Sequence, residues 1–400
     1  MTPTETESLR FLWIGAMEAV DPSEWDALAV PLETPLLEWE WLHQLEASGS
    51  ISPVNGWAPR HLTVRRGKRL VAAAPLYLKS HSEGEFVFDY AWADLAHRLG
   101  IRYYPKLVGM SPVTPIAGYR FLIAPDEDEA EITRRMIAEI DRLCRRANLS
   151  GISFLFVDEP WARHLPDLGF SGWLHPGFVW RNRNYARFED YLERFTSNQR
   201  RNIRRERKSM ADQGLVVRRF SGEEIDPGLA VPMWRFYEST NDMHGPWGCK
   251  YLTREFFEGV FRRYRHRMLL VAAFPDGDAD EPAGMSMLLH KGGQLLGRYW
   301  GSDAEIPNLH FNACYYEPID WAIRNGIARF DPGLGGPHKI RRGFEAGGNF
   351  SFHRFRHPGL AEIMRTQIDR INAAEQEQID AVNAVLPFAR RETDPPRSDR

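Results

Sequence analysis

One order of elements occurs twice along this chain, and that duplication restricts its possible folds more than any single segment does. Residues 35–47 (PLLEWEWLHQLEA) have the apolar spacing of a helix. Extended runs follow at 61–65 and 70–78, then a further extended region, a long helix over 127–147, the strand GISF at 151–154 and a closing Leu168-Gly169-Phe170. The second pass runs the same way. Residues 253–264 (TREFFEGVFRRY) read as a helix, 268–274, 283–290 and 294–301 as strands, 311–325 as a helix and 326–330 as a strand, with Gly343-Phe344 closing the match. The runs LVAAAPLYL and MLLVAAF are short, apolar and bounded by Gly, Pro or charge, which suits strands covered on both faces. Two mixed α/β units are expected, each a twisted sheet flanked by helices. The polar stretch RNRNY supplies the boundary, dividing the chain into 1–184 and 185–388.

Size agrees with that division, because 400 residues of globular composition, 43% hydrophobic and 26% charged, exceed what one core normally spans. A net charge of -3 argues against a chain that coats nucleic acid or anionic membrane through its overall field, so an anionic partner would need a local basic patch. Cys144, Cys249 and Cys314 are far apart, odd in number and lack C-x-x-C spacing, which predicts a reducing compartment and neither a disulfide framework nor a zinc site. The first residues are polar and no apolar run approaches about 18 residues, predicting a cytoplasmic protein with no integral membrane association. Residues 360–385 read as a last helix, and the charged, Pro-rich tail at 389–400 as disordered.

Chemistry is concentrated in three segments. In TSNQRRNIRRERKSMADQG (196–214), six of the nine residues from Arg200 to Lys208 are basic, at the spacing of one helix capped by Thr196 or Ser197. Arg200, Arg204 and Arg207 share one side, Arg201, Arg205 and Lys208 another, and only Ile203 and Met210 make an apolar stripe. Such a face suits a phosphate-bearing carrier, since guanidinium forks match phosphate oxygens. A solvated helix neutralised by Glu189, Asp190 and Glu193 is the bland alternative.

The second segment, DPGLGGPHKIRRGFEAGG (331–348), leaves a strand for a Gly-rich loop, where backbone N–H groups beside His338, Lys339, Arg341 and Arg342 would cradle an anion. It lacks the G-x-x-x-x-G-K-[ST] pattern of a nucleotide P-loop. The third runs from Arg298-Tyr299-Trp300-Gly301-Ser302-Asp303 to His310, Asn312, Tyr315 and Tyr316, a strand end entering a helix start, where open α/β sheets place ligands. Acyl transfer to an amine needs a proton acceptor, for which His310 or Asp331 are candidates, and a donor to the developing oxyanion, for which Tyr299 or Tyr316 are candidates. Trp234, Asn241, His244 and Trp300, with Asn312 and the first-half residues Tyr90 and Trp92, are candidates for a substrate cleft, with core packing as the competing role. The corresponding first-half junction, Ala124-Pro125-Asp126-Glu127-Asp128-Glu129, carries four carboxylates and is expected to repel an anionic carrier.

NQRRNIRRERKSMADQGL, GRYWGSD and HFNACYYEPIDWAIRNGIARFDPGLGGPHKIRRGF resemble, in that order, the Fem-like branch of the GNAT superfamily, and within it a group of predicted N-acyltransferases or peptidoglycan-biosynthesis-like proteins. The resemblance spans about residues 10 to 385 and implies tandem GNAT folds. Likeness to Fem peptidyltransferases implies an aminoacyl-tRNA donor and a cell-wall precursor as acceptor, whereas likeness to ordinary GNAT enzymes implies acyl-CoA. The [Q/R]-x-x-G-x-[G/A] loop of coenzyme A binding is not found after Gly301. The expected function is transfer of an acyl or aminoacyl group from a phosphate-bearing carrier, acyl-CoA or aminoacyl-tRNA, to a small-molecule or peptide-like amine, by a monomer or homodimer without a metal. The competing reading is a non-catalytic module that binds an anionic glycan, nucleotide or RNA.

Overall fold

The structure, a computed structural model, describes residues 8–389 except 244, 246, 247, 278 and 279. Its strands form one four-stranded antiparallel sheet and one eleven-stranded sheet. The small sheet orders Leu9–Ile14, His61–Arg66, Arg69–Ala74 and Leu122–Ile123. The large sheet runs, edge to edge, through Trp57–Pro59, Tyr77–Lys79, Lys106–Gly109, Gly151–Phe154, Glu345–Phe355, Ser171–Arg181, Arg329–Asp331, Gln294–Ser302, Gly284–Lys291, Met268–Pro275 and Leu215–Ser221. Two of its ladders are parallel, Lys106–Gly109 with Gly151–Phe154 and Gln294–Ser302 with Arg329–Asp331, and the others are antiparallel.

The duplication read from sequence is realised as an exchange. Ser171–Arg181, at the end of the first half, pairs with Arg329–Asp331 of the second, while Glu345–Phe355 of the second pairs with Gly151–Phe154 of the first. The two exchanged strands then pair with each other from Glu345↔Val179 to His353↔Ser171. The leading helices of the two repeats, Trp39–Ala47 and Arg254–Arg263, also meet: Trp41 and Phe256 stand edge to face at 5.4 Å, and a Cβ on Gly259 would fall 1.8 Å from Gln44 Oε1. Equivalent elements meeting equivalent elements is the signature of a pseudo-two-fold axis. Glu38 fixes the contact, accepting from Tyr264 at 2.7 Å and pairing with Arg267 and Lys291 at 2.8 Å. The largest apolar core is continuous across both halves, joining Trp25, Trp41 and Trp161 to Phe256, Phe257 and Phe261.

Three expectations change. The run at 70–78 is two strands in different sheets, because Pro75 has no N–H for a ladder and the chain turns between Ala74 and Tyr77. The strand expected at 326–330 forms at Arg329–Asp331, after a left-handed turn at Gly326. The helix expected at 311–325 is interrupted: Leu309–Phe311 and Glu317–Arg324 are α-helical, but Asn312–Tyr316 is a π-turn in which the N–H of Glu317 reaches the carbonyl of Asn312. Pro318 can donate nothing to the carbonyl four residues back, so the regular ladder fails just where the wider turn appears. Among the described residues, no helix is long and apolar enough to cross a membrane and no group of three or more His, Cys, Asp or Glu could hold a metal. Most of the tail, residues 390–400, lies outside the described residues.

Candidate active site

Past Leu296↔Asp331 the two parallel strands of the second half part company. Gln294–Ser302 continues along Gly284–Lys291, with Arg298 bulged out between the pairs Leu288↔Gly297 and Met287↔Tyr299, while the other chain turns away at Pro332. The gap holds a cavity of about 800 Å³ lined by Gly297, Arg298, Tyr299 and Trp300 on one wall and by Pro332, Leu334, Gly335, Gly336, His338 and Lys339 on another. The helix from Leu309 closes it with His310, Phe311, Cys314 and Tyr315.

The π-turn decides which side chains face the cavity. Five-residue spacing brings His310 and Tyr315 together, with ring centroids 5.3 Å apart, and the Tyr315 hydroxyl lies 3.0 Å from His338 Nε2. Asn312 and Tyr316 turn instead to the basic helix Ser197–Asp212, where Asn312 Nδ2 donates to the Glu206 carbonyl at 2.9 Å and the Tyr316 hydroxyl donates to the Glu206 carboxylate. Tyr316 is therefore committed to docking, not free to donate into the cavity.

The imidazoles are held uncharged. Burial, then the neighbouring His338, Arg342 and Lys339, pushes His310 down to about 3, and burial with Arg342 and Lys339 lowers His338. Burial raises the Cys314 thiol, so it is no thiolate nucleophile. Tyr299 accepts from Arg298 Nη2 at 2.7 Å and keeps its own proton available, since burial raises its pKa. The same guanidinium reaches the first half, donating to the Val113 carbonyl at 3.0 Å and the Thr114 hydroxyl at 3.3 Å.

The glycine loop has the polarity opposite to an anion cradle. Lys339 is 2% exposed and its ammonium donates to the carbonyls of Gly333 at 2.7 Å and Leu334 at 2.8 Å, so the loop wraps a cation of its own. Burial lowers that ammonium to about 8. Gly336 is needed there, with φ +79° and a Cβ position 2.1 Å from the His338 ring. Arg342 is likewise occupied: it pairs with Glu206 at 2.6 Å, donates to the His338 carbonyl at 2.9 Å and lies over the Phe311 ring at 3.4 Å. Arg341 is exposed, and its carbonyl accepts from Gln199 at 2.8 Å.

The basic helix thus packs directly on the segment from His338 to Arg342, through Gln199 and Glu206, and its outer face stays open. Arg201, Arg204 and Arg205 are exposed and Arg200 is half-buried; among the described residues none of the four has an ion pair. Arg205 donates to Asn202 at 3.2 Å and lies one turn before Ser209, whose hydroxyl accepts at 3.1 Å from Asn308, a residue that lines the cavity. Arg200 and Arg204 lie toward Arg207, which pairs with Glu317 at 2.8 Å. None of the four lines the cavity itself.

The remaining expected site residues disperse. Asp331 shares a sheet face with Arg329 and Gln294, the face opposite Phe330, and so lines a different crevice of about 620 Å³, between the halves, with Arg181 and the glycines 177, 347 and 348. Burial raises its carboxyl, which accepts from the Gly333 N–H at 2.9 Å. Trp92 is core, packed with Tyr103, Leu360 and Met364, and Tyr90 is exposed at the start of the helix Tyr90–Arg98. Trp234 packs against the main core, and Asn241 ties a loop together by bonds to the Tyr237 carbonyl and the Cys249 N–H. His244 lies outside the described residues. Of the cleft candidates among the described residues, Trp300 alone lines the cavity. Glu206, Arg298 and Tyr315 are the residues the sequence reading left without a role; the signal for Glu206 was its place as the one acid inside the basic run.

The FemAB-like family model, described as peptidoglycan biosynthesis/recognition, matches residues 16–390. No curated protein matches the chain in sequence. Among solved structures, FemX superposes with a TM-score of 0.55 at 12% identity, covering 88% of this chain and 99% of FemX. L-PGS from Bacillus licheniformis gives 0.52 at 9% identity, covering 93% and 98%. The C-terminal domain of a protein named as a lysylphosphatidylglycerol synthetase from Agrobacterium fabrum gives 0.51 at 9% identity, covering 88% and 96%. At these identities the likenesses concern the fold alone. With the family model spanning nearly its whole length, the chain belongs to the FemAB-like family.

Proposed function

We propose that the chain is an N-acyltransferase that takes an acyl or aminoacyl group from a phosphate-bearing carrier and passes it to an amine, using the cavity of its second half. The observation that carries this reading is the grouping, around one cavity at the end of a parted strand pair, of an uncharged imidazole in hydrogen-bond contact with a tyrosine and a second tyrosine backed by a guanidinium. Family membership supports transfer chemistry, as does the fold shared with a protein named as a lysylphosphatidylglycerol synthetase.

The roles follow from protonation. His338, neutral and half-buried, takes the proton that the attacking amine must lose, and Tyr315 holds its ring in place. The carbon–nitrogen bond forms as the carrier's carbon–oxygen or carbon–sulfur bond breaks, and the carrier leaves with the proton. Tyr299 donates to the developing oxyanion, its donor strength raised by Arg298. The exposed arginines beside the rim, Arg205 foremost, hold the carrier's phosphate in solvent rather than inside the cavity.

Incubating the protein with acyl-CoA or aminoacyl-tRNA and a panel of amines, with products followed by mass spectrometry, tests the reading. Amide formation is expected, falling about 10²–10⁴-fold in His338→Ala and about 10²-fold in Tyr299→Phe. Binding of a carrier without amide from any donor would favour the non-catalytic reading.

A further inference from the structure

We propose that the acyl group brought into this cavity is uncharged and largely apolar, an alkanoyl or aromatic acyl group rather than an aminoacyl group. The inference rests on the transferase reading above and narrows its donor. The walls are built from Met287, Leu288, Trp300, Phe311 and Leu334, with the rings of Tyr299 and Tyr315. Three of the polar groups beside them are already engaged. Ser286 Oγ donates to the Ala313 carbonyl at 2.6 Å, the Lys339 ammonium is taken by two loop carbonyls, and the Tyr315 hydroxyl is bonded to His338.

Charge gives the sharper argument. Among the described residues lining the cavity, Glu305 is the one carboxylate, and it is exposed at the rim. The inner groups are two cations, Lys339 and Arg298, and uncharged imidazole, thiol and phenol. An aminoacyl ester carries an α-ammonium near neutral pH. Moved inside, that ammonium would give up its hydration, meet no counter-ion and face Lys339. A neutral acyl chain loses nothing comparable and gains from leaving water. Discrimination therefore comes from the missing carboxylate as much as from apolar contact.

The test uses two thioesters that differ by one amino group, S-hexanoyl-pantetheine and S-(2-aminohexanoyl)-pantetheine, titrated calorimetrically into the full chain near neutral pH. Neither carries phosphate, so the readout reports the cavity and not the basic helix. The hexanoyl thioester is expected to bind at least about tenfold more tightly. Leu334→Asp, at a residue 40% exposed in the glycine loop, places a carboxylate on the wall and is expected to narrow that gap by about threefold. Equal or tighter binding of the amino thioester by the unaltered protein would overturn the inference while leaving the donor site standing. Failure of both thioesters to bind would overturn the transferase reading along with it.

Discussion

The two parallel strand pairs occupy equivalent places in the two repeats and end differently. In the first half, the pair of Lys106–Gly109 with Gly151–Phe154 runs into packed rings: a Cβ on Gly109 would lie 2.2 Å from the Tyr119 hydroxyl oxygen, Tyr119 stacks on Phe154 at 5.8 Å, and Phe121 meets Trp161 at 4.7 Å. In the second half, the equivalent end opens into the cavity. The helix entries differ in the same sense. Asp126, Glu127 and Glu129 pair with Arg69, Arg66 and Arg120, and Asp128 caps its own helix, so the first-half entry is sealed by its own charges. The second-half entry turns through Asn308, in the left-handed region at φ 65°, and sets His310 on the cavity wall. A duplicated unit lets one copy be filled with packed rings while the other keeps an open cavity.

Truncating an aromatic in each copy should separate these roles most strongly. Trp161→Ala removes a fully buried ring and is expected to cost about 3–5 kcal/mol in urea unfolding, whereas Trp300→Ala, on the cavity wall, should cost under about 1 kcal/mol and reduce donor affinity instead. Equal losses at both positions would break the comparison. Next in size is Glu206→Ala, which strands Arg342, whose side chain is 3% exposed, without its partner; a loss of about 3 kcal/mol is expected, and an unchanged unfolding midpoint would show that the basic helix does not depend on this pair for docking.

Acid should act on both copies through buried imidazoles. His310 beside the cavity and His353 in the exchanged ribbon are each pushed down to about 3 from an ordinary 6.5, mainly by burial. A folded-state value below the unfolded one means that the unfolded chain binds more protons between the two. Their stabilisation is therefore complete above about pH 6.5 and is lost as the pH falls from there toward about 3. His310→Gln and His353→Asn should each flatten the dependence of Tm on pH in that window; unchanged slopes would contradict their neutral burial. The smallest stability effect is expected from Arg201→Ala combined with Arg205→Ala, both exposed: the unfolding midpoint should stay put while carrier affinity and its salt dependence fall together.

The repeat was legible because each copy keeps the same order of apolar periodicities, and the basic helix because its run of like charge is unusual. The strand exchange was not, since pairing between Ser171–Arg181 and Glu345–Phe355 joins residues more than a hundred positions apart and neither strand carries a mark of its partner. The candidate site was legible as segments but less so as residues. Tyr299, Trp300, His310, His338 and Lys339 line one cavity, but the sequence could not show that Lys339 would be consumed by its own loop or that Asp331 would fall on the opposite sheet face. A one-residue change of parity moves a strand side chain to the other face, and a π-turn shifts every helix position after it.

Hydrogen–deuterium exchange of the full chain, with and without saturating hexanoyl-coenzyme A, tests the division between the copies most directly. Protection is expected across residues 297–316 and 333–339, with residues 106–121 and 151–161 unchanged. Protection confined to the first-half segments, or no change in any segment, would contradict it.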